Sequence, residues 1–525
     1  MLDRKLFRSL IVALALGVFT LAAHPQYTGI RTFDGWWDGS NPYYAEYLAQ
    51  DINGNIHGTM PQGGAASVYY GTWFDYPIGG AATIHGLSSS TQPQNPFSGL
   101  TLGIDGNLYG TTGHGGGSDG NGSTYGTVFT IVNGQASNLH SFTGGMNGGY
   151  PVAPPIQAPD GNLYGVTWET SLVGYVYQIL MSNGVGSPGW VRPLPAGSQA
   201  SLILASDGNL YGTTAYGGLP IKGVAQSNNN GGALFQVTLS GVVTGIFNFD
   251  ASTAGNNGAT DGYRPYGGVI QGADGYLYGT TSEGGAYAGG TLYRVQLNGT
   301  YFSAIHHFQF NDGIVPTGGL MLGSDGYIYG LASADGYIQE IFIKGDGPLF
   351  KVGGTIFRTD TTGANFVRLF TFYGDNLEGN QGSGLDAYAT PLLHTSGTIY
   401  GLTQHGGSGT PGSCSGCYAN GGEFFSYGTG MAPFISVVSQ RNAKMGDWIG
   451  IIGQGFLNAT GVTFGGTAVN MKWGVQIASD NFMKVNVPSG AKTGKIVVQE
   501  LNGVTLSTPY NFTITCSGPL CLHLP

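Results

Sequence analysis

The chain has 525 residues, enough for two to four domains and a sizeable core. Glycine supplies 96 of them, far above the usual share of about 7%, whereas Asp, Glu, Lys and Arg together supply only 9%. The glycines follow no Gly-X-Y period, which excludes collagen, and 41% hydrophobic with 12% aromatic residues argue against disorder. The composition predicts a turn-rich, all-β protein.

Residues 1–23 have the layout of a secretory signal peptide. Three basic residues precede an apolar stretch from Leu10 to Leu21 and the small pair Ala22 and Ala23, where cleavage is expected. The stretch falls short of the roughly 20 residues that a membrane-spanning helix needs, which argues against an uncleaved anchor and predicts no membrane span after cleavage. The mature chain has 15 basic and 27 acidic residues. Its negative charge argues against binding nucleic acid or anionic lipid.

The chain has four cysteines: Cys414 and Cys417 in a Gly-Ser loop, and Cys516 and Cys521 in the last ten residues. In an exported protein they are disulfide candidates with three possible connectivities, and we expect each cysteine to pair with its close neighbour in the sequence. The alternative is a four-thiolate zinc site, which needs two C-x2-C-like pairs. The second pair has four intervening residues and nothing else indicates a metal, so we expect no metal and no cofactor.

A motif of eight residues, DGNLYGTT in its clearest form, recurs along the chain. Its copies are Asp105–Thr112, Asp160–Thr167, Asp207–Thr214, Asp274–Thr281 and Asp325–Ala332, with weaker copies at Asn53–Met60 and Ser396–Thr403. The first glycines of these seven copies are 47 to 71 residues apart. Propeller blades have about 40 to 50 residues, so we expect the additional length in loops.

Each copy lies in the same four-strand pattern. An apolar run ends in an Asp-Gly or Asn-Gly turn, the motif strand follows, a Gly-rich loop precedes a third strand, and a fourth strand carries aromatic residues. The seventh copy has no fourth strand after Tyr427, whereas residues 27–34 resemble one. We therefore predict that residues 24–430 form a seven-bladed β-propeller closed by the N-terminal strand. The rival fold, an open β-solenoid, has no use for that strand.

The motif residues themselves are better explained by structure than by chemistry. Its acid suggests calcium, but Ca²⁺ takes six or more oxygens and the motif offers one carboxylate, so a hairpin turn is favoured. Its glycine predicts the close approach of a neighbouring ring or backbone. Two hydrolase-like patterns, at residues 114–117 and 116–120, overlap in one loop, whereas that chemistry needs separate loops. We expect no catalytic residue from them.

The long loops lie on one face of the predicted propeller, where function is expected. The residue four positions after the second motif glycine varies among the copies: Gln62, His114, Glu169, Tyr216, Glu283, Ala334 and His405. The loops also carry Trp36, Trp37, Tyr43, Tyr44, Trp168, Trp190, Tyr263 and Tyr266. Such residues suit a sugar or a protein partner, although they also suit the loops' own small cores. Two blades separate Glu169 from Glu283, which argues against a catalytic acid pair.

Residues 431–515 predict a β-sandwich, followed by a cysteine-containing tail at 516–525. The segments GDWIGIIGQGF from Gly446, VTFGG from Val462 and VPSGAKTGKIVV from Val487 resemble the IPT/TIG immunoglobulin-like domain. That resemblance implies a spacer or adhesion module of surface proteins, without catalytic residues.

The repeats, with the Gly-Gly and Gly-Thr-Val-Phe segments that follow them, resemble the bacterial GloVer tandem-repeat proteins, called choice-of-anchor proteins because their C-terminal attachment signals vary. The resemblance covers residues 27–430 and implies a secreted or surface-attached protein, without a reaction. The end of this chain departs from that pattern, because residues 516–525 contain no apolar span, basic tail or sorting motif.

Our leading hypothesis is an exported, non-enzymatic binding or adhesion protein whose long-loop face binds a polysaccharide or a cell-surface protein. A secreted carbohydrate-active lyase or hydrolase and a structural matrix component are the alternatives. The sequence sets neither the ligand nor the oligomeric state.

Overall fold

The computed structural model describes residues 27–33, 47–63, 70–87, 93–116, 124–170, 173–194, 196–219, 231–251, 260–333, 352–373, 387–404, 422–438 and 441–515. Within these residues the helices are three single 3-10 turns, at Gly145–Asn147, Phe310–Asp312 and Phe456–Asn458. The prediction of an all-β protein is confirmed. No helix in the described part of the chain is long and apolar enough to cross a membrane.

The repeats form seven four-stranded antiparallel sheets in the described residues, numbered here in chain order. Sheet 1 contains Ala49–Gln50, Ile56–Met60, Thr72–Tyr76 and Thr83–Gly86, and sheet 2 contains Leu100–Leu102, Leu108–Thr112, Thr127–Val132 and Gln135–Ser141. Sheet 3 contains Ile156–Gln157, Leu163–Thr170, Val173–Ser182 and Val185–Leu194, and sheet 4 contains Ile203–Leu204, Leu210–Thr214, Ala233–Val237 and Val243–Asn248. Sheet 5 contains Ile270–Gln271, Leu277–Thr281, Thr291–Val295 and Ser303–His307, and sheet 6 contains Met321–Leu322, Ile328–Ala332, Val352–Thr359 and Val367–Tyr373. In every sheet the motif forms the second strand.

Sheet 7 takes its outer strand from the other end of the chain. Its first three strands are Leu392–Leu393, Thr398–Thr403 and Glu423–Gly428, and the fourth is Tyr27–Thr32. Tyr27 lies opposite Tyr427, and its hydroxyl donates to the Glu423 carboxylate at 2.6 Å. The two ends of the repeat region are therefore joined within one sheet.

Successive sheets pack on one another through separate apolar clusters. The ring centroid of Phe249, directly after the last strand of sheet 4, lies 5.1 Å from that of Tyr293 in sheet 5. The last sheet also packs on the first, because Phe424 of sheet 7 contacts Phe74 of sheet 1 with ring centroids 5.2 Å apart. The seven sheets thus close into a propeller-like ring.

The second glycine of each motif lies beneath an aromatic ring of the third strand. A Cβ on Gly279 would lie 2.3 Å from the Tyr293 hydroxyl, and one on Gly110 would lie 2.6 Å from the Phe129 ring. The expected close approach is confirmed, and its cause is a ring that crosses the second strand within the same sheet.

The motif acid binds its own turn. Asp207 Oδ1 accepts from the Asn209 amide at 3.1 Å, and Oδ2 accepts from the Tyr211 hydroxyl at 2.8 Å. The same tyrosine-to-aspartate bond recurs in the other strong copies, at Tyr109, Tyr164, Tyr278 and Tyr329. Burial and the neighbouring carboxylate raise the pKa of each tyrosine, which keeps it a donor. These carboxylates hold the turns together, as the hairpin interpretation expects.

A short antiparallel pair, Pro93–Gln94 with His114–Gly115, lies beside sheet 2. The described strands after residue 430 form two further four-stranded sheets around one apolar core. One sheet contains Ser436–Val437, Trp448–Ile452, Phe482–Asn486 and Val475–Ile477. The other contains Thr467–Ala468, Ala459–Phe464, Ile496–Glu500 and Thr505–Ser507. A parallel pair, Asn442–Lys444 with Thr513–Thr515, lies beside them. We call residues 431–515 the sandwich.

The sandwich contacts the ring at the turns between first and second strands. The Asn442 amide donates to the Ser206 carbonyl at 3.0 Å, and the Gln454 amide donates to the Thr395 hydroxyl at 2.7 Å. Ser479 donates to the carbonyl of Ile52. We call this side the short-turn face; the opposite side, the long-loop face, is left uncovered by these contacts.

His394 links sheets 7 and 1 beside this contact. Its Nε2 donates to the Gly54 carbonyl at 3.1 Å, and its Nδ1 accepts from the Ser396 amide at 3.1 Å. Burial lowers the pKa of His394 to about 4. An unfolded histidine titrates at about 6.5, so the unfolded chain takes up this proton first as the pH falls.

We therefore expect the free energy of unfolding to lose about 2 to 3 kcal/mol from this group between pH 7 and pH 4.5. Urea unfolding at the two pH values measures the loss, and His394→Gln should reduce the difference between them. An unchanged pH dependence in the variant would show that other groups account for it.

Candidate binding face

The long-loop face carries a repeated backbone feature where one sheet meets the next. Four non-glycine residues, each directly before a proline, have a positive φ: Asn95 at 53°, Tyr150 at 51°, Arg264 at 58° and Val315 at 57°. A residue before proline prefers extended backbone, and a left-handed conformation costs about 1 to 3 kcal/mol. We call these four positions the pre-proline column.

Hydrogen bonds hold this conformation in place. The amides of Tyr150 and Arg264 donate to the carbonyls of Tyr125 and Gly231, both at 2.7 Å. The carbonyl of Tyr150 in turn accepts from the Trp168 amide at 3.0 Å, and that of Arg264 accepts from the Ser282 amide at 3.0 Å. These bonds fix Tyr150 and Arg264 beside Glu169 and Glu283, the residues that vary among the copies after the second strand.

Side chains at these two positions, with Trp168 and Tyr266 next to them, form what we call the aromatic arc: His114, Tyr150, Trp168, Tyr216, Tyr266 and Arg264. The arc consists of two groups in side-chain contact, His114 with Tyr150, and Trp168 with Tyr216, Tyr266 and Arg264. The backbone hydrogen bond from Trp168 to Tyr150 joins the two groups. The ring centroids of His114 and Tyr150 are 5.7 Å apart, and those of Trp168 and Tyr216 are 6.1 Å apart. Both pairs are edge-on, an arrangement that aromatic pairs favour. His114 is exposed and the other five residues are half-buried, so ring surface remains accessible along sheets 2 to 5.

Arg264 organises one end of the arc. Its guanidinium lies 5.2 Å from the centre of the Tyr216 ring and forms an ion pair with Glu283. The hydroxyls of Tyr216 and Tyr266 share a hydrogen bond of 2.7 Å. Burial, together with the Tyr216 hydroxyl, raises the pKa of Tyr266. This end therefore presents a cation, a carboxylate and phenol groups beside apolar ring faces.

The structure brings together several residues that the sequence predicts for this site. Trp168, Tyr216 and Glu283 lie in or beside the arc, and Tyr263 contacts Glu283 through paired backbone hydrogen bonds. His114 begins the arc, where desolvation lowers its pKa. Trp36, Trp37, Tyr43, Tyr44 and His405 lie outside the described residues, as do all four cysteines.

Two predicted placements need correction. Trp190 lies in the fourth strand of sheet 3 and not in a long loop, and its indole donates to the Leu239 carbonyl at 3.2 Å between sheets 3 and 4. Trp168 lies within the second strand of that sheet, which extends to Thr170. The second and third strands of sheet 3 are longer than those of the other sheets, and they occupy the place of the loop that joins these two strands in other copies.

Glu169 and Glu283 each have a separate partner. Glu169 accepts from the Gly145 amide at 2.7 Å, whereas Glu283 pairs with Arg264. No described group of three or more His, Cys, Asp or Glu residues is placed to hold a metal ion.

Most of the aromatic residues of the arc are predicted from the sequence, but Tyr150 and Arg264 are not. The signal that could identify them is a non-glycine residue directly before a proline at the start of four repeats, in Asn-Pro, Tyr-Pro, Arg-Pro and Val-Pro. Only the structure shows that these residues adopt the conformation that turns them towards the variable position.

The fold is an all-β repeat architecture with a propeller-like ring. Residues 202–464, half of the chain, match the Gloeobacter/Verrucomicrobia repeat, and the chain belongs to this family. The match covers sheets 4 to 7 apart from the N-terminal strand of sheet 7, and continues into the sandwich. None of the curated proteins matches this chain.

Solved structures with a similar backbone are remote in sequence. A fungal alcohol oxidase of the AA5 family, solved with copper, is 13% identical with a TM-score of 0.48, covering 94% of this chain and 100% of that one. Hydrazine synthase from Kuenenia stuttgartiensis is 14% identical with a TM-score of 0.35, covering 61% and 80%. A protein from Desulfotomaculum acetoxidans is 10% identical with a TM-score of 0.37, covering 63% and 84%. At TM-scores below 0.5 these likenesses carry no argument about function.

The strain at Arg264 yields a test. Arg264→Gly relieves the strain of a left-handed non-glycine residue, which should stabilise the fold by about 1 kcal/mol. It also removes a half-exposed ion pair, which should destabilise the fold by about 1 kcal/mol. We expect its free energy of unfolding to stay within about 1 kcal/mol of the parent chain in urea unfolding.

Val315→Gly is the matched control, because it has the same backbone geometry without an ion pair, and it should be no less stable than Arg264→Gly. A loss of several kcal/mol in Arg264→Gly alone would show that Arg264 is a structural residue and not a strained binding residue.

Proposed function

We propose that this protein is an exported, non-enzymatic binding protein whose long-loop face binds a polysaccharide. The observation that carries the proposal is the aromatic arc, two neighbouring groups of partly exposed rings on the face opposite the sandwich. Strained backbone conformations often occur at functional sites, and here they position Tyr150 and Arg264 in the arc.

The chemistry of the arc suits sugars. Ring faces stack on the apolar faces of sugar rings, and Arg264, Glu283 and Glu169 offer directional hydrogen bonds to hydroxyl groups. The arc extends over sheets 2 to 5, so it suits several linked sugar units better than a single one. The low content of charged residues leaves the face without the strong field that would select a highly charged partner.

The architecture that we propose for this role is a seven-bladed β-propeller followed by an IPT/TIG immunoglobulin-like domain. Seven repeat sheets joined by the N-terminal strand support the propeller, and two facing four-stranded sheets support the immunoglobulin-like domain. In this account the sandwich is a spacer that holds the short-turn face and presents the arc outwards.

Export is part of the same proposal. The signal-peptide layout of residues 1–23 supports a secreted or cell-surface location, where polysaccharides are abundant ligands. An adhesion role follows if the spacer is attached to a surface.

The test is to incubate the purified chain from His24 onwards with a panel of polysaccharides, measuring retention and new reducing or unsaturated sugar ends together. We expect retention without new ends, weakened about tenfold or more by Trp168→Ala. Trp473→Ala is the matched control, because Trp473 is 73% exposed on the sandwich. It should leave retention unchanged.

Other outcomes would replace this proposal. New sugar ends would show a carbohydrate-active lyase or hydrolase. Loss of retention in Trp473→Ala alone would move the site to the sandwich. No retention on any polysaccharide would favour a protein partner, and self-association without a ligand would favour a matrix component.

A further inference from the structure

A cavity of about 430 Å³ lies inside the ring, away from the aromatic arc. The first strands of six sheets line it, with apolar side chains that include Leu100, Leu204, Met321 and Leu392. We call it the axial cavity. For comparison, an apolar cavity of about 150 Å³ is enough to bind benzene.

Tyr47 lies at the end of the axial cavity nearer the long-loop face. Its backbone pairs with Gly99 of sheet 2 and Thr390 beside sheet 7, and its hydroxyl accepts from the Ser201 amide beside sheet 4 at 3.1 Å. The side chain therefore reaches across the ring. Burial raises the pKa of Tyr47, so its hydroxyl stays neutral.

Arg441 lies at the other end, where the sandwich covers the ring. Its guanidinium donates to the Gln271 carbonyl and lies 3.9 Å from the centre of the Tyr510 ring. All three of the residues Arg441, Tyr510 and Tyr47 line the cavity. The cation therefore faces a largely aliphatic space.

No carboxylate in the described part of the chain forms an ion pair with Arg441. Desolvation lowers the pKa of Arg441, but an arginine remains charged at neutral pH. A guanidinium has five donor hydrogens, and Gln271 accepts from one nitrogen. Arg441 is half-buried and lines the cavity, so the donors that Gln271 does not use are available there to a negative charge.

We propose that the axial cavity binds a small carboxylic acid with an aliphatic tail. The planar guanidinium of Arg441 matches a carboxylate in a bidentate arrangement, and a single cation balances a single negative charge. The leucine-lined wall receives the tail. This site is separate from the polysaccharide face, so either proposal stands without the other.

The experiment uses the full mature chain and octanoate, with 1-octanol as the neutral probe of equal length. Binding is measured by calorimetry at pH 8 and by native mass spectrometry after refolding with each probe, so that slow entry does not hide a site. We expect one octanoate per chain, clearly weaker binding of octanol, and a loss of about tenfold or more in octanoate affinity in Arg441→Gln.

Arg192→Gln is the matched control. Arg192 also donates to a backbone carbonyl and lies 5.6 Å from an indole ring, but between sheets 3 and 4 and outside the axial cavity. It should bind octanoate like the parent chain.

Equal binding of octanoate and octanol, or unchanged octanoate binding in Arg441→Gln, would overturn the proposal. Binding of neither probe in both measurements would also overturn it and leave a cavity filled with water. If Arg441→Gln does not fold, the octanoate and octanol comparison on the parent chain decides the question.

Discussion

The ring depends on the close approach of an aromatic ring to a glycine within each sheet. The third-strand ring lies across the second strand, and a Cβ on Gly330 or Gly401 would lie 2.5 or 2.4 Å from it. Neighbouring sheets pack on one another through apolar clusters. The tyrosine and aspartate of the motif then fix the turn from which the second strand begins.

A rigid framework allows local strain where the second strands end. The pre-proline column keeps four non-glycine residues in an unfavourable conformation, and hydrogen bonds from two neighbouring elements hold Tyr150 and Arg264 there. The same framework keeps the sandwich at the opposite turns, through Asn442, Gln454 and Ser479. The proposed binding face and the sandwich thus lie on opposite sides of one ring.

The sequence predicts the parts of this structure that depend on local pattern. Alternating strands, Asp-Gly turns and the repeated glycine predict the all-β repeat fold, because each reflects a short-range constraint. The role of Arg264 was not predictable, since it depends on a left-handed backbone that proline normally disfavours and on a contact with Tyr216 from the preceding sheet. Trp190 was misplaced because sheet 3 extends its strands where other copies have a loop.

The most direct test of the account is a hydroxyl-radical footprint of the full chain, read by mass spectrometry, with and without the polysaccharide that retains it most strongly. The account predicts protection of His114, Tyr150, Trp168 and Tyr216 and no change at the exposed Trp473 of the sandwich. Protection of Trp473 with no change along the aromatic arc would contradict it.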